Sequence, residues 1–450
     1  MRDRIECDVL IVGGGLVGSS LALALHRIPV NVVLVEARDP SHLEQPSFDG
    51  RVTALANGSQ RILAQLELWP ALQASAQPIR TIHIGQRGGF GAARIDAREE
   101  GVAALGFTIE NRLLGEVLWR RLAAAGPGFK CLAPATLERF EAQADCVTAT
   151  VDAGGRRHEV KARLLIAADG ARSSVRRALG IAVREDDYDQ TAIVLNCTTQ
   201  VAADGGAFER FTPQGPLAVL PLAQGRVAVI WTLPPHVADA FMALPEAAFG
   251  AELERAFGRR LGRFERIGRR ALHRLARTQS DAVTGPRALL IGNAAMSLHP
   301  VAGQGFNLAL RDVATIAELI ADEMALGAAA DIGKSEVLDR YRAWRYADQR
   351  KVAGFTHGLV RAFGARLPGL AGLRGLGLVA FDLVPGAKAL LARHTMGTAG
   401  RLPRLARGLD IAAKAAPTRP GTASARAAPT KTGKRKTTAK KRAAKAARSK

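Results

Sequence analysis

Cysteine is scarce in this 450-residue chain. The four present, Cys7, Cys131, Cys146 and Cys197, lie far apart and form no CxxC pair. That argues against a disulfide framework and predicts reduced thiols in a cytoplasmic protein. The nine histidines show no HxxxH or HExxH spacing, so no metal site is expected. No charge-free apolar run compels a transmembrane helix, which needs about 18 residues or more. The uncharged stretch from Val9 to Leu25 follows Arg2 and Arg4 and resembles a secretion signal. Glu6 and Asp8 interrupt its basic flank, however, and its four glycines fit a strand and a helix better. Acidic residues are absent from 411–450, which hold 13 Lys and Arg. Removing those charges from the net +22 leaves +9 on the rest, so much of the basicity belongs to a tail.

What remains is globular: 48% hydrophobic and 23% charged residues, at a length for which two domains are a fair prior. Cys7–Val12 reads as a buried strand, Gly15–Arg27 as a helix and Asn31–Val35 as a second strand ending at Glu36. This βαβ order implies a parallel sheet. ARLLIAA, then Asp169-Gly170 and a helix through Leu179, continues the pattern. The stretch 190–282 differs. FERF, PLAVLPL and RVAVIWTL read as strands, the last two joined at Gln224-Gly225, and predict a mainly antiparallel sheet. Residues 335–398 look helical. Beyond about 412 there is almost nothing large and apolar, and disorder is expected.

Three motifs carry the chemistry. Gly13-x-Gly15-x-x-Gly18 is weak as a bare pattern, since chance alone gives about half a match in a chain with this much glycine. Its setting gives it meaning: a strand precedes it, a helix follows it, and Glu36 closes the next strand. There a carboxylate can take ribose hydroxyls while the helix start takes a pyrophosphate. Asp169-Gly170-x-x-Ser173-x-x-Arg176 alone is equally a capped turn. LLIGNAAMSLHPVAGQGFNLALRDV, residues 289–313, reads as a strand, a Gly/Pro loop and an amphipathic helix. Two strand–glycine–helix units at opposite ends of the chain point to a long cofactor held at both ends, and a flavin dinucleotide fits. Gly375-x-Gly377-x-x-Ala380 lacks a preceding strand, and Gly333-Lys334-Ser335 lacks the first glycine of a phosphate loop, so both are set aside.

Order and approximate spacing of these segments make residues 5–400 resemble the single-component FAD-dependent aromatic hydroxylases. The resemblance is closest to the ubiquinone-biosynthesis hydroxylases, and within them to the 2-polyprenyl-6-methoxyphenol hydroxylase group. FDGRVTALA at 48–56, AFERFTPQGPLAVLPL at 207–222 and Asn293 carry that finer likeness. Asn293 stands where most of the wider family has Asp; an amide can donate and accept there.

The resemblance implies an α/β, two-domain fold. A discontinuous Rossmann-like FAD-binding domain would comprise 1–72, 106–180 and 283–345. An inserted, mainly antiparallel substrate domain would comprise 73–105 and 181–282, followed by C-terminal helices at 346–411 and a basic tail at 412–450. Gly13, Gly15, Gly18 and Glu36 would hold the ADP half of FAD, with Arg51 and Arg112 as further contacts or as surface ion pairs. Asp169 and Gly170 would lie near the pyrophosphate and Asn293 near the ribityl chain. Gly303, Gly305, Phe306 and Asn307 would lie against the isoalloxazine ring. His299 reads as a loop hydrogen-bonding residue before a general base, and Trp231 as core before pocket lining. No catalytic side chain is assigned.

The implied reaction is hydroxylation of a polyprenylated phenol with dioxygen, through a flavin C4a-hydroperoxide, with NAD(P)H as transient co-substrate. The C-terminal helices around Phe355–Leu391 and the basic tail would allow contact with a membrane surface, and a ubiquinone-biosynthesis complex is a further expected partner. The expected location is cytoplasmic or peripheral on the inner membrane face. No specific nucleic-acid partner is expected, because Lys/Ala alternation without aromatics gives only sequence-blind phosphate contact. The rival readings are an epoxidase, halogenase or prenyl reductase on the same scaffold, an NAD-dependent dehydrogenase, and a non-catalytic FAD-containing lipid-binding or assembly protein. The absence of a Trp-x-Trp-x-Ile-Pro signature counts against the halogenase.

Overall fold

The computed structural model describes residues 3–40, 51–89, 91–297, 304–346, 348–349 and 385–412. The expected loop residues His299 and Gly303, the GLRGLG near-match, the helices over 350–384 and the tail from 413 lie outside them.

The first sheet is built on parallel strands. Ala288–Leu290, Arg156–Ala167, Asp3–Val12, Val32–Val35 and Phe129–Leu132 lie side by side in that order, each parallel to its neighbour. Their near-continuous apolar sequence follows from burial on both faces. Val9, Ile11, Leu34 and Ile166 point to one face, covered by the helices Leu16–Leu25, Asn111–Ala123 and Gln304–Met324. Leu10, Val12, Val33 and Leu165 point to the other, where the hairpin Thr136–Ala142/Val147–Ala153 packs. Each fully buried Leu or Ile contributes about 2 kcal/mol by leaving water.

The first strand starts at Asp3, earlier than its apolar stretch announces, because Asp3–Cys7 pair with His158–Ala162 at the sheet's end. All four cysteines are free thiols. Burial pushes Cys7 and Cys197 up to about 12, which keeps both unreactive.

The second sheet runs Met296–Ser297, Ala271–Ser280, Val183–Thr199, Arg226–Leu233, Pro216–Pro221, Gly206–Phe211, Thr81–Gln86 and Ala92–Asp96. All of these pairs are antiparallel except Gly206–Phe211 with Thr81–Gln86. The tight connection at Gln224 (φ 62°) and Gly225 (φ 69°) takes the left-handed pair that a short hairpin requires. One face, with Ile193, Val219, Val229 and Trp231, is covered by the helices Pro235–Met242 and Glu246–Phe257. Trp231 is thus core, packed on Phe241 and Phe249. The opposite face of the sheet is open to a cavity.

A small third sheet, Val52–Ala56, Gly106–Glu110 and Gln77–Ile79, joins the other two. Thr108 donates to the Pro221 carbonyl of the second sheet, and Asn307 holds the strand Val52–Ala56. Residues 385–412 return to the first layer. Arg404 binds Glu318 and Asp322 there, and Arg401 stacks on Trp344 at 3.7 Å. Gly333-Lys334-Ser335 forms a packed turn: a Cβ at Gly333 would lie 2.1 Å from the Arg163 carbonyl oxygen, and Lys334 pairs with Glu323.

Candidate active site

The glycine turn after Asp3–Val12 is dictated by close backbone contacts. Gly13 has φ 101°, and a Cβ there would lie 2.6 Å from the Ala168 carbonyl oxygen. A Cβ at Gly18 would lie 1.8 Å from the Gly13 oxygen. Gly15 begins the helix Leu16–Leu25 with no side-chain cap, leaving the first-turn N–H groups without a side-chain acceptor. Gly14 is confined as well: Trp119 and the Glu36 side chain stand 2.7 and 2.9 Å from where its Cβ would be. The Glu36 carboxylate accepts from the Gly14 N–H at 2.6 Å and from the Arg38 N–H at 2.9 Å. The acid at the end of the second strand therefore sits on the glycine turn, as the spacing requires.

The second motif is tied physically to the third. Asp169 Oδ2 accepts from the Ser174 N–H and hydroxyl and from the Val175 N–H, at 2.8, 3.1 and 3.3 Å. Its Oδ1 is buried without a hydrogen-bond partner. Ser173 caps Arg176 N–H at 3.0 Å. The buried Arg176 guanidinium then donates to the Ala171 and Ala294 carbonyls, at 2.7 and 2.9 Å. DGxxSxxR is therefore bolted to the Gly292–Ala294 turn that carries Asn293.

These elements border a cavity of about 600 Å³. Gly15, Arg51, Gly170, Asn293, Gly305, Phe306 and Asn307 all line it. Asn293 is exposed to it from its short turn. A Cβ at Gly305 would meet nothing within 4 Å, so its missing side chain leaves the start of Gln304–Met324 open.

Gly13, Gly18, Glu36 and Asp169 shape the turns beside the cavity without lining it, and Asn307 and Arg112 are engaged with other residues. Asn307 is 2% exposed. Its amide accepts from the Ala56 N–H and donates to the Ala54 carbonyl, both at 2.8 Å. Its side chain therefore fastens the strand Val52–Ala56 to the helix. Arg112 is not part of the cavity wall; it pairs with Glu116 at 2.7 Å one turn along Asn111–Ala123. A helix turns about 100° per residue, so when Asn111 faces the cavity its neighbour does not.

Sequence reasoning missed several wall residues. Thr53 donates to Asn111 Oδ1 at 2.5 Å, and both line the cavity. From the second sheet come Ile82, Ile84, Ala218, Leu220 and Ile230, together with His273 and Glu209. Their alternation along each strand was visible, but not which face met the cavity. Leu391 and Thr395 of the helix Pro385–Thr395 also contribute. Among the described residues, no group of His, Cys, Asp and Glu is arranged to hold a metal.

The uncapped glycine-turn helix, the glycine positions where no side chain fits and the unpartnered Asp169 oxygen fit a dinucleotide with hydroxyl donors. The family described as FAD binding domain matches residues 6–356. The ubiquinone hydroxylase UbiL of Rhodospirillum rubrum is 39% identical over 407 residues, covering 90% of this chain and 93% of that protein. The 3-demethoxyubiquinol 3-hydroxylase of Escherichia coli is 30% identical over 394 residues, covering 87% and 98%. Among solved structures, p-nitrophenol 4-monooxygenase PnpA from Pseudomonas putida DLL-E4 shares the fold. Its TM-score is 0.73 at 19% identity, over 89% of this chain and 100% of that one. The chain belongs to the FAD binding domain family, among the FAD-dependent monooxygenases related to the hydroxylases of ubiquinone biosynthesis.

Proposed function

We propose that this protein hydroxylates the aromatic ring of a polyprenylated phenol on the route to ubiquinone, consuming NAD(P)H and dioxygen. The observation that carries the reading is one cavity with two kinds of wall. On one side stand the glycine turn, Asn293 and the start of Gln304–Met324. On the other stands an apolar sheet face suited to a ring and a prenyl chain.

Residues 1–72, 106–180 and 283–345 form the FAD-binding domain in this reading, and 73–105 with 181–282 the substrate domain. Gly13, Gly15, Gly18 and Glu36 take the ADP half, Asp169 and Gly170 the pyrophosphate region, and Asn293 the ribityl chain. Gly305 and Phe306 face the ring system, and Asn307 supports them by pinning the neighbouring strand; Gly303, assigned the same role by sequence, lies outside the described residues. Arg51 contributes from the wall, and Arg112 only by exchanging Glu116 for phosphate. Bound FAD would supply the redox chemistry between the nicotinamide and dioxygen. The chain's own part is to position, exclude water and polarise. The partial positive charge at the start of Gln304–Met324 stabilises negative charge near Gly305.

The test is the reduction of the bound flavin. Adding NADH or NADPH without oxygen should bleach its absorbance, and a prenylphenol should accelerate the bleaching. A flavin that neither nicotinamide reduces, with or without phenol, would favour a non-catalytic FAD-containing lipid carrier.

Among the described residues no helix is long and apolar enough to cross a membrane. We assign the protein a peripheral place at the inner membrane face, within reach of a ubiquinone-biosynthesis complex, through its C-terminal region. The 13 positive charges of the tail support this, since each is worth about 1 kcal/mol near anionic lipid. Deleting 413–450 should abolish co-sedimentation with phosphatidylglycerol vesicles at low salt and leave FAD content unchanged. Equal co-sedimentation of both forms would contradict the assignment.

A further inference from the structure

We propose that Glu209 is the proton acceptor for the substrate's phenol hydroxyl, a catalytic residue outside all the cofactor motifs. The proposal rests on the hydroxylase reading above and adds to it the group that activates the ring.

Glu209 lies in the strand Gly206–Phe211, where alternate residues face opposite sides. Ala207, Phe208, Glu209 and Phe211 all contribute to the cavity wall, and alternation puts the Glu209 side chain with Ala207 and Phe211, opposite Phe208, which belongs to the helix-covered core. Phe208 stacks with His83 and meets Phe257 edge-on, and the Arg210 guanidinium also lies over Phe257. By strand register the neighbours of Glu209 are Ile84 on one side and Ala218 on the other. Its side chain makes no hydrogen bond or ion pair with any described residue. Among the described residues lining the cavity it is the one carboxylate.

Such a group is costly. An unpaired carboxylate on an apolar wall loses hydration and gains no partner, so carboxylates are rarely kept there without a ligand. Burial accordingly pushes Glu209 up to about 7. A base that titrates near neutrality is matched to its task, because it accepts a proton readily and can return it.

Other titratable groups stand apart from it. His83, on the neighbouring strand, faces the opposite side and is pushed down to about 4 by burial and then by Arg260, Arg94 and Arg210. Pro216–Pro221 carries no titratable side chain. Arg51 also lines the cavity, as do His273 and Arg274 on Ala271–Ser280, a more distant strand of the same sheet, and the Arg274 guanidinium is paired with Asp187 at 2.5 Å.

The phenol O–H proton moves to the Glu209 carboxylate, and the electron pair left on oxygen enriches the ring carbons ortho and para to it. One such carbon forms the new C–O bond with an oxygen atom derived from dioxygen. The second oxygen leaves as water, with both electrons supplied by NAD(P)H. Rearomatisation releases the ring hydrogen as a proton, and Glu209 returns its own proton to the phenol oxygen.

The experiment compares binding of a 2-prenylphenol and its methyl ether to the oxidised, FAD-loaded protein, with no nicotinamide present. In the wild type the preference for the phenol should rise about tenfold as pH increases through neutrality, where the carboxylate becomes an acceptor that the ether cannot use. Glu209→Gln should make the preference independent of pH. Its kcat for ring hydroxylation should fall about 100-fold, with loss of the limb near neutrality. A preference that stays flat with pH in the wild type overturns the proposal, whether or not the variant folds. So does a rise that Glu209→Gln preserves. A rise that depends on Glu209 without any hydroxylated product overturns the hydroxylase reading, and the catalytic role with it, but leaves phenol recognition standing.

Discussion

Gly18→Val will yield a protein that retains almost no flavin. A Cβ at position 18 lies 1.8 Å from the Gly13 carbonyl oxygen and 3.0 Å from its carbon, and both atoms are backbone. No rotamer relieves that contact, so the glycine turn must separate from the helix Leu16–Leu25. Gly13 cannot retreat, because its own Cβ position is already 2.6 Å from the Ala168 oxygen. The displaced turn carries the Gly14 N–H away from Glu36 and the helix start away from the pyrophosphate. We expect an overpacking cost of about 3 kcal/mol and loss of most FAD, read from flavin absorbance relative to protein absorbance. Gly305→Ala is the control, since its Cβ meets no protein atom within 4 Å. It should fold as the wild type does, so any effect on flavin absorbance reports the cavity. A Gly18→Val protein as yellow as the wild type would contradict this account of the turn.

The second large effect is on stability. Arg345 is 2% exposed in its side chain and donates to Asp312 at 2.6 Å, to Asp348 and to the Leu308 carbonyl at 3.4 Å. Arg311 pairs with Asp348 at 2.9 Å and completes the network. Burial alone would depress the Arg345 pKa, but Asp312 and Asp348 more than offset it, so the guanidinium stays charged. The network locks the first turns of Gln304–Met324, the turns bearing Gly305, Phe306 and Asn307, to the helical residues 335–346. Arg345→Met leaves Asp312 buried without its cation and should cost about 4 kcal/mol, measured as a lower denaturant midpoint. Arg345→Met combined with Asp312→Leu removes both charges and leaves Asp348 with Arg311. That pair of changes should recover most of the loss. Equal midpoints for the single and double variants would show that unpaired charge is not the cause.

Much of this arrangement was legible because its signals are local. The run CDVLIVGGG can be both-face-buried strand and tight turn and little else, and Glu36 falls where the second strand ends. The antiparallel second sheet was legible from FERF, PLAVLPL and RVAVIWTL, and from Gln224-Gly225 between the last two. What escaped reading depends on partners distant in the chain. Asn307 fastens Ala54 and Ala56, some 250 residues away, and no spacing rule connects them. Arg112, open between a flavin contact and a surface ion pair by type, stands beside Glu116 only four residues on, so its pairing is a local matter of helix register. Glu209 sat inside a strand signal, and alternation placed it with Ala207 and Phe211. Its chemistry emerged only when the opposite face, with Phe208 and Trp231, proved to be covered by helices.

The central claim is that the cavity brings dioxygen chemistry to a prenylated phenol. Its most direct test is turnover with NADH or NADPH, a 2-prenylphenol and ¹⁸O-labelled dioxygen, with the product analysed by mass. The account predicts one labelled oxygen atom on the aromatic ring and none when the oxygen label is supplied as water instead. Oxidation of the nicotinamide with no label entering any phenol would contradict it.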